Sequence, residues 1–169
     1  GCIQAAGDGS DLSGYIVTKK QYENFILDWD WKLSYGGNSG MLYHVVENPY
    51  FKVPYVTGPE YQLIDNEGWE ATNAPTRLEE WQKLGVDYAM HLPNPDSLLV
   101  NPQGEWNSSR IVCDNGHVEH WLNGRKKPGR TTGSPARTAA NGRRLPNTDW
   151  RTAACCASRT TATPLRSAT

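Results

Sequence analysis

Apolar and polar residues alternate with period two along most of the first 124 positions. In "FILDWDWKL", Phe25, Leu27, Trp29, Trp31 and Leu33 fall on one side and Ile26, Asp28, Asp30 and Lys32 on the other. Successive side chains of a strand point to opposite faces, so this segment is predicted to be a strand with one buried face. The same patterning predicts strands over 14–18, 39–46, 59–65, 86–92, 106–113 and 117–122. Asn115-Gly116 predicts a hairpin between the last two, because both turn positions need φ > 0. One helix is predicted, over 76–84 (TRLEEWQKL), with Thr76 as its cap and Leu78, Trp81 and Leu84 on one side. Many aromatic-rich strands between turns of Gly, Pro and Asn predict an all-β protein, an antiparallel β-sandwich.

Composition changes the picture after Gly124. Residues 1–124 hold seven Lys or Arg against seventeen Asp or Glu, and residues 125–169 hold ten against one. A charge of −10 (7 − 17) is thus followed by one of +9 (10 − 1). The last 45 residues carry only Leu145, Trp150 and Leu165 as large apolar groups, too little to bury a core of their own. Their basic charge alone suggests nucleic acid, but they lack the interleaved aromatics that stack on bases, and no nucleic-acid partner is expected. No run approaches the eighteen or so apolar residues of a membrane span, and no charged-then-apolar leader opens the chain. Cys2, Cys113, Cys155 and Cys156 give neither a metal-ligand spacing nor a disulfide framework.

Candidate chemistry gathers on the "GPEYQLID" strand. Alternation places Glu60, Gln62 and Ile64 on one face and Tyr61, Leu63 and Asp65 on the other. A carboxylate beside an amide can orient sugar hydroxyls, or remove a proton if its pKa is raised; the same pattern also describes a solvated strand face. In "YGGNSGMLYHV", Gly40 inside a strand points to close approach or a bulge, with Asn38 and His44 as polar candidates; a tight turn is the other reading. In "GHVEHWLNG", His117 and Glu119 share a strand face while His120 points away, so the three cannot converge on one metal ion. His91 and Tyr88 carry no signal by themselves, and there is no P-loop, dinucleotide fingerprint or Gly-x-Ser-x-Gly elbow.

The blocks "IVTKKQYENFILDWDWKLSYGGNSGMLYHV", "GPEYQLIDNEGW", "GVDYAM", "NPQGEWNSSRIV" and "GHVEHWLNG" resemble, in order and spacing, the 3-keto-disaccharide hydrolase domain family. The resemblance spans about residues 1–124. It implies a concanavalin-like jelly roll, a carbohydrate partner oxidised at C3, and a secreted or periplasmic location; no cofactor is expected, and no residues are assigned to a metal. It also implies an elimination: a C3 ketone acidifies the hydrogen on C2, so one base suffices where ordinary glycosidases need two carboxylates. Glu60 is then expected as base or hydroxyl anchor with His44 as its catalytic companion. Gln62, Asn38, Tyr88 and Asp65 are expected to bind substrate, Asp65 less directly because it faces away. The alternative is a non-catalytic, lectin-like carbohydrate-binding module.

The family continues past "WLNG" into further strands and a segment of the type "HGDPxxFRN", which is not written here. Shifting the reading frame by two bases lets Thr160 to Thr169 read "HGDPLAFRN" and Asn147 to Cys156 read "YGLADSGVL". The expectation is a domain over 1–124, incomplete at both ends, followed by an irregular tail over 125–169 that has left its frame near Arg125 to Arg130. As written, such a chain is expected to have little or no activity.

Overall fold

The structure, a computed structural model, describes residues 3–4, 15–90, 99–127, 150–154 and 159–164, with the last two segments and Lys127 described by their backbone alone. Nine strands are described: β1 (Ile16–Val17), β2 (Phe25–Trp31), β3 (Asn38–Val46), β4 (Glu60–Ile64), β5 (Asn107–Asp114), β6 (His117–Leu122), β7 (Arg125–Lys127), β8 (Trp150–Ala154) and β9 (Arg159–Pro164). They form two antiparallel sheets, one ordered β1-β8-β3-β4 and the other β7-β6-β5-β2-β9. A single short α-helix, α1 (Asn66–Thr72), and two 3-10 turns, Pro54–Val56 and Glu80–Gln82, complete the described elements. The protein is all-β, as its period-two patterning predicts.

The core lies between the sheets because β2 to β6 each commit one face to it. On β2 the alternation is complete, with Phe25, Leu27, Trp29 and Trp31 all buried. They pack with Ile111, Cys113, Val118 and Leu122 of their own sheet and with Met41, Tyr43, Tyr61 and Leu63 of the other. Burying an aromatic or Leu side chain of this kind contributes about 1.5–3 kcal/mol each. Several polar atoms inside this layer are paired, while Trp29 Nε1 is buried with no hydrogen-bond partner among the described residues. Trp31 Nε1 donates to Ser109 Oγ at 2.8 Å, Tyr61 Oη meets the same oxygen at 3.0 Å, and Tyr43 Oη meets His120 Nε2 at 3.2 Å. The Tyr61–Ser109 and Tyr43–His120 bonds tie the two sheets at fixed register, and the Trp31–Ser109 bond joins β2 to β5 within one sheet; a buried polar atom left unpaired costs more than a pair gains.

Three expectations need correction. The helix predicted over 76–84 is absent: this segment is extended apart from the turn Glu80–Gln82, and the helix lies earlier, at Asn66–Thr72. The strand predicted over 86–92 is reduced to a bridge, Asp87 with Tyr61, flanked by Gln62 N–H to Val86 carbonyl (3.2 Å) and Tyr88 N–H to Glu60 carbonyl (3.0 Å); His91 and Leu92 lie outside the described residues. The tail is not irregular throughout. β8 pairs with β1 and β3, and β9 pairs with β2, so their backbone lines the two sheets. Cys2, Cys155 and Cys156 fall outside the described residues, and Cys113 is a buried free thiol on β5.

Candidate functional site

The pairing of β3 with β4 decides which side chains meet. Asn38 stands opposite Ile64, Gly40 opposite Gln62 and Leu42 opposite Glu60, whereas Met41 opposite Tyr61 turns toward the core. Opposed residues of an antiparallel pair share a face. Asn38, Gly40, Leu42, Glu60 and Gln62 therefore lie on the face turned away from the other sheet. The Asp87–Tyr61 bridge extends this register by one chain, setting Tyr88 beside Glu60 in the row Leu42–Glu60–Tyr88.

Within that row Glu60 is the unusual group. Its side chain folds over Gly40, so closely that a Cβ on residue 40 would stand 1.8 Å from Oε1. Buried Leu42 is its neighbour on β3. No described residue donates a hydrogen bond to the carboxylate, and removal from water pushes its pKa up to about 7. A carboxyl poised near neutrality accepts a proton far better than one of ordinary acidity.

The remaining expected residues divide into two sets. Asn38 is exposed on the Glu60 face, two residues and about 6.8 Å of strand from Gly40. Tyr88 is half-buried; its ring meets Trp81 edge to face at 5.2 Å, and its Oη accepts from Gln82 Nε2 at 3.3 Å. Gln62 is on this face but buried, with Nε2 donating to the Gln82 carbonyl at 3.1 Å, so it anchors the 80–82 turn. Gln82 thus links Gln62 to Tyr88.

His44 and Asp65 are placed elsewhere. A bulge shifts the β3–β8 register between Leu42 and Val45, and His44 takes up the extra residue at φ 50°. Its Nε2 lies 2.8 Å from the Glu23 carbonyl and its ring meets Phe25 edge-on at 5.7 Å, contacts that belong to the neighbouring sheet. Asp65 lies just past the end of β4 and caps α1. It accepts from Gly68 N–H (3.2 Å), a donor that the helix start leaves open, and from Gly36 N–H (3.0 Å) in the β2–β3 turn.

Trp81 and Gln82 adjoin Tyr88 and Gln62 on this face, yet in the sequence Trp81 reads only as part of a helix face and Gln82 carries no signal. The signal for Gly40 was visible as a glycine inside a strand. Two hollows among the described residues lie away from Glu60. One, of about 540 Å³, is lined by Asp28, Ser108, Arg110 and Trp121; the other, of about 370 Å³, is lined by Trp31, Leu33, Tyr35 and Glu67. In the first region Arg110 grips Asp28 through both carboxylate oxygens, at 2.6 and 3.1 Å. On β6, His117 Nε2 lies 2.9 Å from Glu119 Oε1 and His120 is buried on the opposite face, the split predicted from alternation. No group of three or more His, Cys, Asp or Glu among the described residues could hold a metal ion. No helix among them is long and apolar enough to cross a membrane.

Comparison with known proteins places this arrangement in a family. A curated relative, 3-keto-disaccharide hydrolase of Bacteroides thetaiotaomicron, is 32% identical over 73% of this chain and 46% of its own length. The chain thus spans about half the length of that relative. A crystal structure from Parabacteroides distasonis, carrying a provisional glycosyl hydrolase name, is 49% identical with a TM-score of 0.65, covering 77% of this chain and 58% of that one. A second structure from the same organism, similarly named, shares the fold at a TM-score of 0.68 and 24% identity, over 89% of this chain and 83% of that one. Residues 1–153 match the domain described as 3-keto-alpha-glucoside-1,2-lyase-like, a match that runs past Gly124. The chain belongs to the 3-keto-alpha-glucoside-1,2-lyase-like domain family.

Proposed function

We propose that this domain cleaves the glycosidic bond of a disaccharide or glycoside already oxidised at C3, by elimination, with Glu60 as the base. One observation carries the reading: a carboxylate with no hydrogen-bond donor, folded over Gly40 and raised by burial to about 7. The C2–H bond breaks, its proton passes to the Glu60 carboxylate, and the electron pair moves onto the C3 oxygen as an enolate. The enolate then re-forms the ketone as C1=C2 forms and the C1–O bond breaks, the departing oxygen taking the proton that the Glu60 carboxyl carries and so restoring the carboxylate. Water adding across C1=C2 yields the free keto-sugar. No electrons enter or leave, so a single base on an otherwise neutral face is enough.

Asn38 and Tyr88 serve this reaction as hydroxyl ligands on the same face, and the Trp81–Tyr88 pair offers an apolar wall for the C–H side of a sugar ring. The relative's name motivates the substrate class. A secreted or periplasmic location is part of the same proposal. So is the reading that residues beyond about Arg125 to Arg130 have left their frame; the assay therefore uses this chain and a version completed in frame.

The test is turnover of a 3-keto-disaccharide by the wild type and by Glu60→Gln, which keeps shape and removes basicity. Turnover is expected to fall by about 10² to 10⁴ with substrate binding retained. Binding without product release in the completed wild type would favour the carbohydrate-binding module, and equal cleavage of the unoxidised disaccharide would rule out elimination.

A further inference from the structure

Gly40 has no backbone reason to be glycine. It lies inside β3, paired with Gln62, and it is not among the residues with positive φ. A glycine inside a strand gives up packing and costs conformational entropy, so another requirement must hold it there. The space above it supplies one. The three atoms nearest a Cβ built on residue 40 are Glu60 Oε1 at 1.8 Å, Cδ at 2.6 Å and Cγ at 2.8 Å. All three belong to one side chain. Gly68 differs: a Cβ there meets the Gly36 backbone nitrogen at 2.6 Å as well as Asp65, so that glycine is required by chain packing.

We propose that Gly40 is a positioning residue for Glu60: the missing side chain forms the seat in which the carboxylate lies across β3, removed from water and free of hydrogen-bond donors. This rests on the reading of Glu60 as base and adds to it the device that holds the base in its reactive form. Shape alone holds the carboxylate. Leu42 flanks the seat two residues along β3 on one side, Asn38 on the other, and Gln62 lies opposite. A donor in the seat would stabilise the ionised form and weaken the base. Any Cβ at position 40 must push the Glu60 side chain out toward water. Because the obstructing atoms are the far end of a flexible side chain, the strand itself need not move.

The experiment is Gly40→Ala, read by the carboxyl ¹³C titration of Glu60, its signal assigned by its loss in Glu60→Gln. In the wild type the midpoint is expected at about 7. In Gly40→Ala it is expected to fall by about one unit or more toward the ordinary carboxyl value. The unfolding transition should stay cooperative with its midpoint unchanged or raised, since Ala loses less chain entropy than Gly. Turnover near pH 7 should drop about tenfold or more, with the acidic limb of its pH profile moving down with the titration. A Gly40→Ala protein with the wild-type midpoint, or one that fails to fold, would overturn the inference. If the midpoint moves while Glu60→Gln remains fully active, the seat is upheld and the base assignment fails. If Glu60→Gln is inactive but Gly40→Ala titrates as wild type, the base assignment survives and the seat fails.

Discussion

A carboxylate held at a pKa of about 7 is a liability to the fold as well as an asset to chemistry. Glu60 binds its proton more tightly in the folded state than in the unfolded one. The resulting stabilisation is fully present below the ordinary value of 4.5 and is lost as pH rises through about 7. Glu60→Gln should therefore leave stability near wild type at pH 4 and raise it at pH 8. Discounting the shift for the remaining exposure of the side chain, the gain is about 1–2 kcal/mol. Denaturant unfolding of both proteins at the two pH values checks this, and parallel stability curves would contradict it. Ser109 presents a different case, since its one oxygen serves both Trp31 Nε1 and Tyr61 Oη. Tyr61 also donates to the Trp121 carbonyl at 3.2 Å, but Trp31 has no second partner in the bonds described. Ser109→Ala should cost about 1–3 kcal/mol through that orphaned indole, measurable as a lowered unfolding midpoint.

Strands were legible in the sequence where a core faced them on one side. β2 keeps strict alternation, and β3 to β6 begin and end within two residues of their predicted bounds. The helix was misplaced for a physical reason. Leu78, Trp81 and Leu84 repeat every three residues, which suits a helix face, yet Leu78 and Leu84 are buried in the core cluster from an extended segment while Trp81 is left exposed. The true helix, NEGWEAT, has Trp69 as its only large apolar residue; what starts it is the cap, Asp65, together with Glu67 in the first turn. Reading Asp65 as the last residue of a strand put it on the face opposite Glu60 and made it a weaker substrate ligand; the strand ends at Ile64 and Asp65 is the helix cap instead. Strand alternation was legible as far as Glu60 and Gln62, which it set on one face; Asn38 joins them only through the β3–β4 register, which neither strand's own pattern shows. The direction of His44 was not legible, because a bulge is invisible to a period-two pattern. Asp65→Ala should consequently cost about 1–2 kcal/mol of stability and leave kcat unchanged. A large loss of turnover with unaltered stability would return Asp65 to the site.

Across the whole molecule, two sheets are locked face to face by buried aromatics and by the Tyr61–Ser109 and Tyr43–His120 pairs, leaving the Glu60 face free of that task. β8 and β9 line these sheets although the tail is poor in large apolar residues. Sheet edges offer rows of backbone N–H and C=O groups, and a Thr- and Ala-rich stretch such as RTTATP can pair with them by its backbone alone. Strand pairing there is thus compatible with the proposed change of frame. Source DNA read across the codons for residues 115–169 should reveal an open alternative frame containing HGDPLAFRN, and a frame closed by stop codons would contradict it. Elimination itself is tested most directly by the fate of the hydrogen on C2. A 3-keto-disaccharide turned over in D₂O by the domain completed in frame should yield keto-sugar with deuterium at C2, and Glu60→Gln should suppress product and label together. Product that retains its original C2 hydrogen would contradict removal of that proton, and with it the role assigned to Glu60.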